Sequence, residues 1–180
     1  VESNRLLMKL IIINGPCGVG KSTAAMALHA QMPMAFHLDI DAQRRFISEY
    51  HDKHEESWRL SIAIALNIAD TALKAGHDVI VDKMLFDDGV IDRLLAIGRS
   101  CGADVYEFIL WASKEEVMRR AEVRGYRPGS LFTPEKCERF WHEIKDLKIR
   151  RPQAIVIDVE ALKTEDVTAE LRRQIAIETR

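Results

Sequence analysis

The chain has 180 residues, of which 47% are hydrophobic and 30% are charged. This length and composition are typical of one globular domain and exclude a disordered chain, a fibre or a repeat array. The formal net charge is −2, from 26 basic and 28 acidic residues. Because a protein that binds duplex DNA usually carries a net basic domain, we expect no nucleic-acid partner.

The cysteines and the hydropathy pattern indicate the compartment. Cys17, Cys101 and Cys137 are far apart and show neither a C-x-x-C pair nor a nearby histidine ligand, which argues against a disulfide scaffold or structural zinc. No apolar run reaches the roughly 20 residues that span a bilayer, and no secretory leader pattern is present. We therefore expect a cytoplasmic protein without a membrane partner. Met8 directly precedes the first predicted strand, which leaves open whether residues 1–7 are an extension or native.

The first half of the chain alternates short β-branched runs with helical patterns. The run KLIIIN predicts a buried strand over Lys9–Asn14, and a glycine-rich turn then leads into a helix over Ser22–Gln31. A second strand is predicted over Phe36–Ile40, followed by a helix from Asp41 to about Tyr50. A long helix with an apolar stripe is predicted over Ser57–Ala75.

The second half continues the alternation to the end of the chain. The predicted elements are a strand over Val79–Asp82, a helix over Asp88–Ser100, a strand over Val105–Trp111, helices over 113–124 and 133–147, a strand over Ala154–Asp158 and a helix over Thr164–Ala176. Strands that alternate with helices predict an α/β domain with a five-stranded, mostly parallel sheet. No linker divides the chain, so we expect a single domain over residues 1–180.

One motif carries specific chemistry. The segment GPCGVGKS matches G-x-x-x-x-G-K-[ST], the phosphate-binding loop, and it has the strand before it and the helix after it that this loop requires. The glycines let backbone N–H groups converge on an anion, Lys21 can reach the β- and γ-phosphates, and the Ser22 hydroxyl can bind Mg²⁺. We expect ATP and Mg²⁺ as cofactors and nucleotide contacts from Gly15, Pro16, Cys17, Gly18, Val19, Gly20, Lys21, Ser22 and Thr23.

With this loop in place, the chain from Lys9 to about Ile177 resembles the small P-loop kinases that phosphorylate metabolites, nucleosides or antibiotics. The resemblance rests on GPCGVGKS, DID, VIVD, RRAEVRGYRP and the ending IVIDVEALKTEDVTAEL. The segment ILWASKEEVMRRAEVRG is similar to tunicamycin-resistance ATP-binding proteins and uncharacterised ATP-dependent kinases, and the DID and RP pieces are similar to shikimate kinase. The resemblance implies a three-layer P-loop fold with a helical lid at about 113–135, and transfer of the γ-phosphoryl group of MgATP to a hydroxyl of a small-molecule acceptor.

Two aspartates follow the second predicted strand, at the sheet edge where α/β proteins bind ligands. The D-x-x-R formed by Asp41 and Arg44 resembles that of the kinases, which implies that Asp41 is the base and that Asp39, Asp41 and Arg44 contact the substrate. Arg59 is a further candidate for an anionic acceptor. The alternative is that Asp41 only caps the next helix while Asp39 is solvated.

Metal and lid residues complete the predicted site. Asp82 closes a buried strand, where P-loop proteins place a carboxylate near Mg²⁺, so we expect it to share the ion with Ser22; a helix cap is the alternative. We expect Lys83 to be exposed, and contact with a substrate phosphate is the alternative. Lys21, Asp41, Arg124 and Arg127 are the expected catalytic residues, because arginines that arrive with a closing lid stabilise the transferred phosphoryl group. A solvated basic helix face is the alternative for the arginines.

The sequence departs from shikimate kinase, since Val81–Met84 stands where that enzyme has G-G-G, which puts shikimate itself in doubt. The identity of the acceptor and the oligomeric state remain open. Two other functions compete with a small-molecule kinase. One is an ATP-binding resistance or regulatory protein that phosphorylates no acceptor. The other is a nucleic-acid end kinase, which shares D-x-x-R but is not supported by the net charge.

Overall fold

The computed structural model describes residues 8–125 and 133–175. The strands are β1 (Lys9–Asn14), β2 (Phe36–Asp39), β3 (Val79–Asp82), β4 (Asp104–Trp111) and β5 (Ile155–Asp158). The helices of the described part are α1 (Lys21–His29), α2 (Ile40–Arg44), α3 (His54–Lys74), α4 (Asp88–Ser100), α5 (Lys114–Arg124), α6 (Pro134–Arg150) and α7 (Thr164–Gln174).

The five strands form one sheet in the order β2-β3-β1-β4-β5, and all four neighbouring pairs are parallel. The predicted α/β fold with a five-stranded parallel sheet is therefore confirmed. Asp82 is aligned with Ile13 on one side and with Asp39 on the other. The carboxyl ends of β1, β3 and β2 consequently lie side by side at one edge of the sheet.

Helices cover both faces of the sheet, as predicted for three layers. Leu10 and Ile12 belong to the hydrophobic cluster formed with α3, α4 and α6. Ile11 and Ile13 point to the opposite face and join the cluster formed with α1, α5 and α7. Because both faces of β1 are covered, the strand is apolar at consecutive positions instead of alternating with polar residues.

The segment after β2 differs from the prediction. The helix expected from Asp41 to about Tyr50 ends at Arg44, and the next helix begins at His54 instead of Ser57. The buried Arg44 guanidinium explains the early end, because it donates hydrogen bonds to the carbonyls of Tyr50 and His54 and holds the chain back across the end of α2. These charge-assisted bonds satisfy carbonyls that a continuous helix would have used internally.

A buried ion pair joins β4 to the end of α6. Nη2 of Arg151 donates to a carboxylate oxygen of Glu107 over 2.9 Å, and both side chains are buried. The same guanidinium reaches Asp88 and Asp92 on α4. A single side chain thus fixes the carboxyl end of α6 against both the sheet and α4.

Replacing Arg151 with Met should lower the free energy of unfolding by about 3–5 kcal/mol, because Glu107 would remain buried as an unpaired charge. Urea unfolding at pH 7 measures this loss. Arg173→Met is the matched control, since Arg173 pairs with Glu170 on the exposed surface of α7 and should cost no more than about 1 kcal/mol. Equal losses in the two variants would contradict a stabilising role for the buried pair.

Candidate active site

The glycine-rich segment forms a tight loop between β1 and α1. Gly15, Gly18 and Gly20 have φ values of 143°, 76° and 89°. A Cβ atom on Gly15 would lie 2.3 Å from the carbonyl oxygen of Leu110, so no larger residue fits there without movement of the backbone. The loop leads directly into Lys21, the first residue of α1, so its amides and the helix N-terminus lie together, an arrangement that suits an anion.

Lys21 lies half-buried within this loop. Its Nζ atom donates a hydrogen bond to the carbonyl of Pro16 over 2.8 Å. Burial lowers the pKa of Lys21 from 10.5 to about 8, while the negative charge of Asp82 opposes that shift. The amine is therefore mostly protonated at neutral pH and becomes neutral in mildly alkaline solution.

Asp82 and Ser22, the two predicted magnesium ligands, meet beside the loop. Asp82 is only 4% exposed at the end of β3, and the Ser22 hydroxyl is close enough to act on the pKa of its carboxylate. Burial raises the pKa of Asp82, and the Ser22 hydroxyl and the charge of Lys21 act in the opposite direction. His37 Nε2 lies 3.9 Å from the same carboxylate, a neighbour that the sequence reasoning missed.

These residues fit a magnesium ion by the chemistry of their donors. A hydroxyl and a carboxylate are hard oxygen ligands, which Mg²⁺ prefers. Within residues 8–125 and 133–175, no group of three histidine, cysteine or acidic side chains could hold a metal. Mg²⁺ usually keeps several waters and binds through one or two protein groups plus substrate phosphates, so a nucleotide would complete the coordination of an ion held by Ser22 and Asp82.

Asn14 connects the phosphate loop to the segment after β3, and the sequence reasoning missed it. Its side-chain amide donates to the carbonyl of Leu85, and its Oδ1 atom accepts from the backbone N–H groups of Leu85 and Gly15. The side chain is fully buried. The available signal was a polar residue at the end of a strand that is otherwise apolar, directly before the loop.

The two aspartates after β2 have different surroundings. Asp39 caps α2, since its carboxylate accepts from the N–H of Ala42 over 2.9 Å. Asp41 lies in the first turn of that helix, is 57% exposed and forms an ion pair with Lys83. The alternative from the sequence had Asp41 as the helix cap and Asp39 solvated, whereas in the structure Asp39 is the cap and Asp41 is exposed. Lys83 also differs from expectation, since its side chain is only 13% exposed.

The arginines predicted to contact substrate have partners within the chain. Arg44 is buried and donates to the hydroxyl of Ser57 over 2.8 Å. Arg59 is mostly exposed and pairs with Glu55 one helical turn earlier. These contacts account for both guanidinium groups without a ligand, so their role in binding a substrate stays a prediction.

The helix predicted to begin the lid packs against the phosphate loop. A Cβ atom on Gly18 would lie 3.4 Å from Cβ of Arg120 on α5. Arg120 bonds Glu116 and the carbonyl of Val159, which gives it a structural role. Arg124 is the exposed last residue of α5, and Arg127 lies outside the described residues. The catalytic role of these last two arginines stays a prediction.

Residues 10–145 match a protein family described as an AAA domain. The chain belongs to this family. No curated protein sequence matches the chain. Among solved structures, the tunicamycin resistance protein of Deinococcus radiodurans has 22% identity and a TM-score of 0.65, with 95% of this chain and 97% of that chain covered.

Two named kinases have a similar fold. A gluconokinase from Sinorhizobium meliloti has 16% identity and a TM-score of 0.65, with coverage of 98% of this chain and 100% of that chain. A shikimate kinase from Bacteroides thetaiotaomicron has 16% identity and a TM-score of 0.62, with 95% and 99% covered. At these identities the likeness concerns the fold, which is that of P-loop kinases. None of the helices in the described ranges is both long and apolar enough to span a membrane.

Asn14→Leu should lower the free energy of unfolding by about 3 kcal/mol or more, because three buried peptide groups lose their partner and each costs about 1–3 kcal/mol. Urea unfolding measures the change. Asn67→Leu is the control, because Asn67 is exposed on α3 and bonds only within its own helix; it should change stability by about 0.5 kcal/mol at most. If both variants are as stable as the wild type, Asn14 does not hold the phosphate loop and the segment after β3 together.

Proposed function

We propose that this protein is an ATP-dependent phosphotransferase that moves the γ-phosphoryl group of MgATP to a hydroxyl of a small molecule. The observation that carries the proposal is the convergence of Lys21, Asp82, Asp41 and Lys83 at neighbouring strand ends. They are close enough that the charges of Asp82, Lys83 and Asp41 all act on the pKa of Lys21, whose main shift comes from burial. Phosphoryl transfer requires this kind of positioning and charge more than strong acids or bases.

The phosphate loop and the two proposed magnesium ligands, Ser22 and Asp82, have separate roles in this proposal. The backbone N–H groups of residues 17–20 and the Lys21 ammonium bind the phosphates of ATP, with further nucleotide contacts expected from Ser22 and Thr23. Ser22 and Asp82 hold Mg²⁺, which supplies charge neutralisation at the β- and γ-phosphates when bound. The burial of Asp82 limits competing access of water to its carboxylate.

Asp41 is proposed as the group that orients the acceptor hydroxyl and accepts its proton. Its exposed carboxylate lies on the edge where β1, β3 and β2 end, whereas the Asp39 carboxylate is already engaged as a helix cap. Arg124 and Arg127 are proposed to stabilise the transferred group when the lid, at about 113–135, closes. Arg44 and Arg59 remain proposed contacts at the acceptor side.

The acceptor is proposed to be a small molecule and not a nucleic acid, since the net charge of −2 does not provide the basic surface that nucleic acids bind. The named gluconokinase and shikimate kinase of similar fold support a metabolite-type acceptor. The three cysteines are free thiols, which agrees with a reducing compartment such as the cytoplasm.

Transfer of label from ATP carrying ³²P at the γ-position to a small-molecule extract tests the proposal. Lys21→Ala should abolish transfer, because the phosphates lose their main charge partner. Asp41→Asn should retain ATP binding and reduce transfer about 10²–10⁴-fold, the usual contribution of a positioned base. Asp52→Asn, an exposed acidic residue between α2 and α3, is the matched control and should transfer at the wild-type rate.

Each outcome of this experiment decides something. Wild-type transfer by Asp41→Asn would show that the assigned base is wrong. ATP binding without any transfer by the wild type would favour the alternative, an ATP-binding regulatory or resistance protein. Label on the ends of a polynucleotide offered in a parallel reaction, and on no small molecule, would instead indicate an end kinase.

Nucleotide affinity should fall as the pH rises through about 8. Lys21 has a pKa of about 8 when no nucleotide is bound, so above this pH binding must first return a proton to the amine, and affinity should drop up to tenfold per pH unit. Dissociation constants for MgADP between pH 7.5 and 9.5, at constant ionic strength, measure the effect.

Lys21→Arg serves as the control for this pH dependence, because a guanidinium stays charged throughout the range. Its affinity should change little with pH, whatever its absolute value. A wild-type affinity that is the same at pH 7.5 and 9.5 would contradict the assignment of the titrating group to Lys21.

A further inference from the structure

We propose that Lys83 is a second binding group for the γ-phosphoryl group of ATP, and that it leaves Asp41 when ATP binds. This inference rests on the proposed function, since it requires a site that binds ATP. It assigns Lys83 a part in nucleotide recognition and makes its ion pair with Asp41 the resting state of the site.

The position of Lys83 is the first argument. Lys83 directly follows Asp82, which is aligned with Ile13 on β1. Lys83 therefore lies at the level of Asn14, the residue before the phosphate loop. Two residues later, Leu85 is held by the Asn14 side chain through hydrogen bonds in both directions. The backbone on either side of Lys83 is thus fixed against the start of the loop.

The ion pair itself is asymmetric. The Lys83 side chain is largely covered, and its Nζ atom lies 5.3 Å from the centre of the Trp58 ring, where a cation–π contact holds it. Asp41 is mostly exposed on the first turn of a five-residue helix. The protein therefore positions the ammonium group more firmly than the carboxylate, and the carboxylate is the partner that can be exchanged.

Several positive charges surround this pair. Burial is the main cause of the lowered pKa of Lys21, and Lys83 lowers it further. Burial also lowers the pKa of His54, with additional contributions from Arg44, Lys136 and Lys83. The charge of Lys83 thus lowers the pKa of both Lys21 and His54, and Asp41 is an exposed carboxylate in direct contact with Lys83.

A terminal phosphoryl group is a stronger partner for Lys83 than Asp41 is. It carries up to two negative charges and three acceptor oxygens, whereas a carboxylate carries one charge and two oxygens. Exchange of Asp41 for the γ-phosphoryl group would leave the carboxylate free to accept the proton of an acceptor hydroxyl. ADP lacks the group that drives the exchange, so Lys83 stays paired with Asp41 when ADP is bound.

The experiment compares the affinities of the magnesium complexes of β,γ-imido-ATP and ADP, because only the former carries a γ-phosphoryl group and it is not turned over. Lys83→Met should weaken β,γ-imido-ATP about tenfold and change ADP by less than about twofold. Asp41→Asn removes the competing charge and should bind β,γ-imido-ATP at least as tightly as the wild type. Lys74→Met removes the exposed pair with Asp70 at the end of α3 and should change neither affinity.

Lys83→Gln provides a second variant that keeps a polar side chain of similar length, and a thermal unfolding curve for each variant shows that it is folded. Equal weakening of both nucleotides, or of neither, would overturn the role of Lys83 while leaving the proposed function in place. Weaker binding of β,γ-imido-ATP by Asp41→Asn would overturn the exchange. Absence of nucleotide binding by the wild type would overturn both proposals together.

Discussion

The rest of the site depends on the hydrogen bonds by which the Asn14 side chain connects the phosphate loop to the segment after β3. Asn14 ends the central strand β1 and holds the first amide of the phosphate loop and both peptide groups of Leu85. Because it is fully buried, water cannot replace these bonds. The phosphate loop, Asp82 and Lys83 therefore keep one relative arrangement, which the sheet alone would not impose on segments that lie beyond its strands.

The parallel order β2-β3-β1 explains why charged residues meet at this place. Parallel strands bring their carboxyl ends to one edge, and the register aligns Asp82 with both Ile13 and Asp39. Lys21, Lys83, Asp82 and Asp41 then lie close together, where burial lowers the pKa of Lys21 and raises the pKa of Asp82. Lys21 remains charged at neutral pH although burial lowers its pKa, because Asp82 partly offsets that cost. The arrangement consequently suits an anion before any ligand binds.

The sequence predicted the elements well where local patterns and tertiary structure agree. All five strands were found, and β1 and β3 gave the clearest signal, because strands covered on both faces are short apolar runs. The helix after β2 was predicted too long, since the bonds from Arg44 to Tyr50 and His54 are tertiary contacts without a local signal. The low exposure of Lys83 was not predicted for the same reason, because its contacts with Asp41 and Trp58 are tertiary contacts. The cap is Asp39 and not Asp41 because α2 begins at Ile40, and a shift of two residues in the position of the cap exchanges the roles of the two aspartates.

Release of ADP from MgATP, first with water alone and then with pools of sugars, hydroxy acids, nucleosides and antibiotics, tests the central claim most directly. The account predicts that one pool raises the rate well above the water background, because phosphoryl transfer requires an acceptor hydroxyl beside Asp41. Tight binding of MgATP with the same slow rate in water and in every pool would contradict it, since the site would then bind the nucleotide without using it as a phosphoryl donor.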